Sequence, residues 1–120
     1  MIRYAVALIV AVVVGSSFSK AQPAPCDPNA PLADEQKNRH RLAITAARQI
    51  NTAQAQASSQ LKRYAPLGEL TNASIPEGFE AQVSTDSTSY TFSVKDLQDA
   101  CKFAVFSDQV GVIYTANPIR

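Results

Sequence analysis

DEQKNRHRLAITAARQINTAQAQASSQLKRYA, residues 34–65, decides the fold. The stretch holds no glycine or proline and is rich in alanine, glutamine and arginine, all good helix formers. Its apolar positions run Ala43, Ala46/Ala47, Ile50, Ala53, Ala57, Leu61, Tyr64. Spacings of three and four put them on one face of a helix from Asp34 to about Ala65. That face is mostly alanine, so it is narrow and allows close approach to whatever it packs on. Asp34 is the expected N-cap, Glu35 suits the positive end of the helix dipole, and Arg63 suits the negative end. Pro66 must end the helix at or before Ala65.

Downstream, PLGELTNASIPEG (66–78) holds two prolines and two glycines and reads as a connecting loop, with a short turn at Leu67–Leu70. The period then changes to two. Phe79, Ala81 and Val83 alternate with Glu80, Gln82 and Ser84; Thr85–Thr88 reads as a hairpin turn; Tyr90, Phe92 and Val94 alternate with Thr91, Ser93 and Lys95. After a break at Asp96–Asp99, Cys101–Phe106 reads as an apolar strand, Ser107–Gln109 as a second turn and Val110–Thr115 as the last strand. The expected fold is α+β: one long N-terminal amphipathic helix packed on a roughly four-stranded antiparallel sheet, in a single domain over residues 34–120. The alanine stripe must bury itself on one face of that sheet.

Upstream, the chain starts Met1-Ile2-Arg3, runs through AVALIVAVVV (5–14) and reaches Ser19-Lys20-Ala21. A short basic start, an apolar run and small residues at Ser19 and Ala21 form a secretory signal peptide over residues 1–21, cleaved between Ala21 and Gln22. The run falls short of the about 20 apolar residues of a membrane span. An uncleaved anchor is the alternative; a lipid on Cys26 is disfavoured by the preceding Pro23-Ala24-Pro25. Residues 22–33, QPAPCDPNAPLA, carry four prolines and form an extended, semi-rigid leader. The expected location is periplasmic or secreted, with no stable membrane anchor after cleavage.

Of the 11 Lys and Arg, Arg3 and Lys20 fall in the signal, so the 99 residues after it (120 less 21) carry nine basic against ten acidic residues. That balance gives no basic surface for nucleic acid. The two cysteines, Cys26 and Cys101, are expected to bridge in an oxidising compartment, the alternatives being free thiols or pairing with another chain.

Candidate chemistry is sparse. His40 is the only histidine, and a triad or a metal site needs partners converging on it; it reads as an exposed helix residue. Asp34/Glu35 and Asp96/Asp99 are carboxylate pairs, explained by helix-terminal charge and turn chemistry better than by glycosidic catalysis. Lys37, Arg39, Arg41 and Arg48 read as a solvated polar face, an acidic partner or anionic headgroups being the alternative. No cofactor, metal or catalytic residue is assigned, and the chain is expected not to be an enzyme.

The order of elements, with AARQINTAQAQASSQ in the helix, KRYAPLGEL at its end, SYTFSV in the middle strand and CKFAVFSDQVGVIY in the final hairpin, resembles the globular head of type IV pilins and pseudopilins. The likeness spans about residues 39–115. It departs from the family at the N-terminus: a pilin retains its hydrophobic segment as a spine continuous with the helix, whereas here that segment lies in a conventional signal, cut off by prolines. The resemblance therefore implies the head fold without polymerisation, and a bacterial source, in which the Asn72-Ala73-Ser74 glycosylation pattern marks an exposed loop and little more. The implied function is contact with an unknown protein partner, as a free relative of the head or an accessory of a pilus or secretion system. A small binding or inhibitor module of cystatin-like, helix-on-sheet type is the alternative; a small hydrolase is a weaker third.

Overall fold

A computed structural model describes Cys26 and residues 30–116. The expected signal peptide over residues 1–21, its expected Ala21/Gln22 junction, most of the leader and residues 117–120 lie outside the described residues. Helix α1 spans Asp34–Leu61, a 3₁₀ turn follows at Leu67–Glu69, and strands β1 (Phe79–Thr85), β2 (Tyr90–Asp96), β3 (Ala104–Asp108) and β4 (Tyr114–Ala116) complete the order. The fold is α+β, a long helix on a four-stranded antiparallel meander of order β1-β2-β3-β4.

The alanine stripe does what its spacing requires. Ala43, Ala46, Ala47, Ala53 and Ala57 are buried together with Ile50. Because alanine has almost no side chain, the bulk of the core comes from the sheet and the turn before β3: Phe79, Tyr90, Phe92, Val94, Phe103 and Val105. Full burial of side chains the size of Phe92 or Val105 stabilises by about 1.5–3 kcal/mol each. Along β2 the alternation places Tyr90, Phe92, Val94 and Asp96 inward, and Thr91, Ser93 and Lys95 outward.

Several boundaries differ from the sequence reading. The helix starts with Ala33 in the N-cap position, and the Gln36 side chain accepts the Ala33 N–H at 3.1 Å; Asp34 is thus the first helical residue. At the other end, α1 stops at Leu61, four residues before Ala65, with Lys62 left-handed at φ 59°. Buried Gln54 is the reason: its amide donates to the Ala65 carbonyl (2.7 Å) and accepts the Ala65 N–H (2.9 Å), so the chain must turn back one hook early. Leu61 is consequently exposed, and Arg63 pairs with Glu69 at 3.1 Å.

The third strand starts at Ala104, not Cys101. Asp99 takes the N–H of Cys101 (3.0 Å) and of Phe103 (3.3 Å), which commits 99–103 to a turn. The second turn is centred later than expected: Asp108 caps Val110 N–H and its carbonyl accepts the N–H of Gly111, whose φ of 85° suits glycine. This delays the last strand to Tyr114–Ala116. The first hairpin closes at Asp86–Ser89, where the Asp86 carboxylate accepts hydrogen bonds from Ser89 and Thr88, and these hold it below its usual pKa.

Cys26 and Cys101 are joined by a disulfide, their Cα atoms 4.9 Å apart. The bond ties the leader to the β2–β3 connection. It is the chemistry of an oxidising compartment. Among the described residues no helix is long and apolar enough to cross a membrane.

Candidate binding face

Two polar regions emerge, and they differ in kind. The first lies at the N-terminal end of α1. Arg39 donates from Nε (2.7 Å) and Nη2 (2.5 Å) to the two oxygens of Asp96, a fork-on-carboxylate pairing. The Asp96 side chain is fully buried and that of Arg39 is 18% exposed. Burial alone would push Asp96 up; the hydrogen bonds from Arg39 and from the Gln98 N–H outweigh it and hold the carboxyl below its ordinary value. The same hydrogen bond raises the Arg39 pKa. The guanidinium sits 4.8 Å over the Phe79 ring. Gly78 lies so near that an added Cβ would come within 3.0 Å of Arg39 Nη2 and 2.9 Å of Gln98 Nε2.

Beside this pair, His40 stacks on Phe103 with ring centroids 3.7 Å apart, and its Nε2 is 3.7 Å from Asp99. Two expectations are corrected here. Arg39 is no part of a solvated basic face, because Asp96 reaches it across the fold. His40 is half-buried rather than exposed, because Phe103 offers it a ring to stack on. Asp99 performs turn chemistry, as expected; Asp96 does so too, accepting the Gln98 N–H at 2.9 Å, and is in addition the buried counter-ion of Arg39. Asp34, Glu35, Lys37, Arg41 and Arg48 are solvent-exposed or nearly so, and Asn72 is on an exposed loop. The region joins helix to sheet, and each of its groups is occupied by another.

The second region is the outer face of the sheet. The register aligns three rows across it: Glu80–Lys95–Ala104–Ala116, Gln82–Ser93–Phe106–Tyr114 and Ser84–Thr91–Asp108. Ser93 on β2 lies between the longer Gln82 and Phe106, so the face is hollowed there. Two depressions of about 530 Å³ and 300 Å³ share Gln82, Ser93 and Phe106 and together form one trough along β2. Phe106 and Tyr114 are cross-strand partners, yet remain 43% and 59% exposed.

No family model, curated protein or solved structure matches this chain. The reading of this face therefore rests on its own chemistry. Sequence inspection did not single out Phe106 or Tyr114. The signal for Phe106 was present in CKFAVFSDQV, where strict alternation from Val105 and Ser107 inward turns Phe106 outward, into a register that β2 fills with threonine and serine.

Proposed function

We propose that this chain is a periplasmic or secreted, pilin-head-like protein that acts without catalysis, through contact with a protein partner, as an accessory of a pilus or secretion system. The observation that carries the reading is the tip of the β3–β4 hairpin. Val110 and Val112 are 73% and 48% exposed there, which is an arrangement suited to docking on another protein. The disulfide supports the extracytoplasmic location. Strands of seven, seven, five and three residues in a tight meander after a single helix support a pilin-head relation over a cystatin-like module with longer, wrapping hairpins.

The test combines fractionation with site-specific photo-crosslinking at Val110 in the cells that make the protein. A processed chain beginning at Gln22, found outside the cytoplasm and crosslinked to one discrete partner, is the expected result. A chain retained in the cytoplasm, or an exported one that yields adducts no more discrete at Val110 than at exposed Gln56 on the helix, overturns it.

A further inference from the structure

We propose that the trough on the outer face of the sheet binds a neutral oligosaccharide, lying along β2 with a sugar ring stacked on Phe106 and Tyr114. This goes beyond the protein-contact reading, which rests on the hairpin tip.

The argument starts from what the trough offers. Its floor and one wall are Ser84, Thr91, Ser93 and Gln82, side chains that each both donate and accept hydrogen bonds. A ligand that meets such a lining everywhere must itself donate and accept everywhere, which is the property of a polyhydroxylated chain. Its other wall is aromatic. A pyranose carries hydroxyls around its rim and an apolar C–H face, and an exposed aromatic pair in one cross-strand row gives that face a platform.

Charge points the same way. Lys95 is opposed directly by Glu80, so the smaller depression is balanced, and among the described residues the only other charged one lining the trough is Asp108, whose Oδ1 already accepts the Val110 N–H. An anionic glycan or a nucleic acid would find no cationic cluster here among the described residues. A peptide adding as a strand would seek a sheet edge, not the face. A docked protein would want an apolar centre, whereas the floor is hydroxyl-lined. The volumes fall within the about 300–1,000 Å³ of small-ligand sites. Their elongated arrangement, two hollows sharing Gln82, Ser93 and Phe106, suits a linear chain of a few rings.

The test is a heteronuclear NMR titration of the disulfide-bonded protein with cellohexaose, chitohexaose and maltohexaose, three neutral chains of different linkage. Saturable shifts with at least one of them, centred on the amides of Gln82, Ser93, Phe106 and Tyr114, are expected. Tyr114→Ala should weaken binding about tenfold and Tyr114→Phe should largely spare it, because stacking needs the ring and not the hydroxyl. Ser93→Tyr, which fills the floor, should abolish binding in a protein whose spectrum remains folded. No saturable shift with any of the three sugars overturns the proposal. So does binding that survives both Tyr114→Ala and Ser93→Tyr, or a preference for dextran sulfate over all neutral chains. Val110→Asp should leave sugar binding intact; failure of the sugar titration leaves the Val110 crosslinking result standing, so the two readings fail separately.

Discussion

Replacing Arg39 by methionine leaves the Asp96 carboxylate buried against Phe79 with no counter-charge. Removing one partner of a buried pair costs about 3 kcal/mol at neutral pH, more than the intact pair contributes, because the charge left behind has lost water as well as its partner. The sign of the pH dependence follows from Asp96. Its folded pKa is depressed, so its stabilisation is present above the unfolded carboxylate value of about 3.9 and is lost as pH falls from there through the folded value. In Arg39→Met the buried carboxyl prefers to be neutral, so the gap between variant and parent should begin to narrow above about pH 4, as the variant's carboxyl protonates, and go on narrowing below about 4 as the parent loses its own stabilisation. Urea unfolding of both proteins at neutral and acid pH checks this; a gap independent of pH would show that Arg39 acts by packing alone. Tyr90 gives the complementary case at high pH. Its hydroxyl donates to Asn51 (2.6 Å), Asn51 donates to Ser107 (3.0 Å), and Ser107 donates to the Val112 carbonyl (2.8 Å). Burial pushes the phenol up to about 12. Its contribution is complete below the unfolded value of about 10 and is lost as pH rises through the folded one. Alkaline absorbance titration should find a late-ionising tyrosine, and Tyr90→Phe should delete that step while costing about 1 kcal/mol at neutral pH.

At the scale of elements, α1 is an alanine rod with a polar hook. The small side chains let the helix lie close to Phe92, Val94 and Val105, and Gln54 then fixes where it stops. Gln54→Leu keeps the volume but orphans both backbone groups of buried Ala65. Two unpaired groups cost about 2–4 kcal/mol, far more than the helix propensity gained. Chemical denaturation should register that loss, and hydrogen exchange should speed up first at residues 62–65. A variant as stable as the parent would mean that Leu61 and Tyr64 set the helix end instead. The same hook brings Tyr64 to the first hairpin, where its N–H donates to the Ser87 carbonyl at 3.1 Å.

The whole molecule has two ends with different duties. At one, the start of α1, the β2–β3 turn and the disulfide are clasped together through Arg39–Asp96 and His40–Phe103. At the other, the end of α1 meets the β1–β2 turn, and the β3–β4 hairpin tip carries exposed Val110 and Val112. The disulfide links residues 75 apart. Closing a loop of that size stabilises by about 4 kcal/mol in the chain-entropy model. Cys26→Ser/Cys101→Ser should therefore lower the urea midpoint strongly and raise the m-value, since the unfolded chain becomes freer to expand. An unchanged midpoint would place the stabilisation in the polar clasp alone.

By itself the sequence determined the elements and their class. Periods of 3.6 and then 2 are local, so a helix followed by strands was legible from residues 34–65 and 79–94, as were the alanine stripe and the exposed loop at Asn72. The pairing of Cys26 with Cys101 was expected from there being only two cysteines, and the structure joins them. Tertiary structure alone decided the ends of the elements and the worth of the polar residues. Gln54 ended the helix, Asp96 drew Arg39 out of solvent, and Phe103 did the same for His40, each through a partner between 11 and 63 residues away that no local pattern names. The trough is the extreme case: it exists only because three separate pairing registers bring Gln82, Ser93, Phe106 and Tyr114 into one row, and register is a property of the sheet, not of any strand.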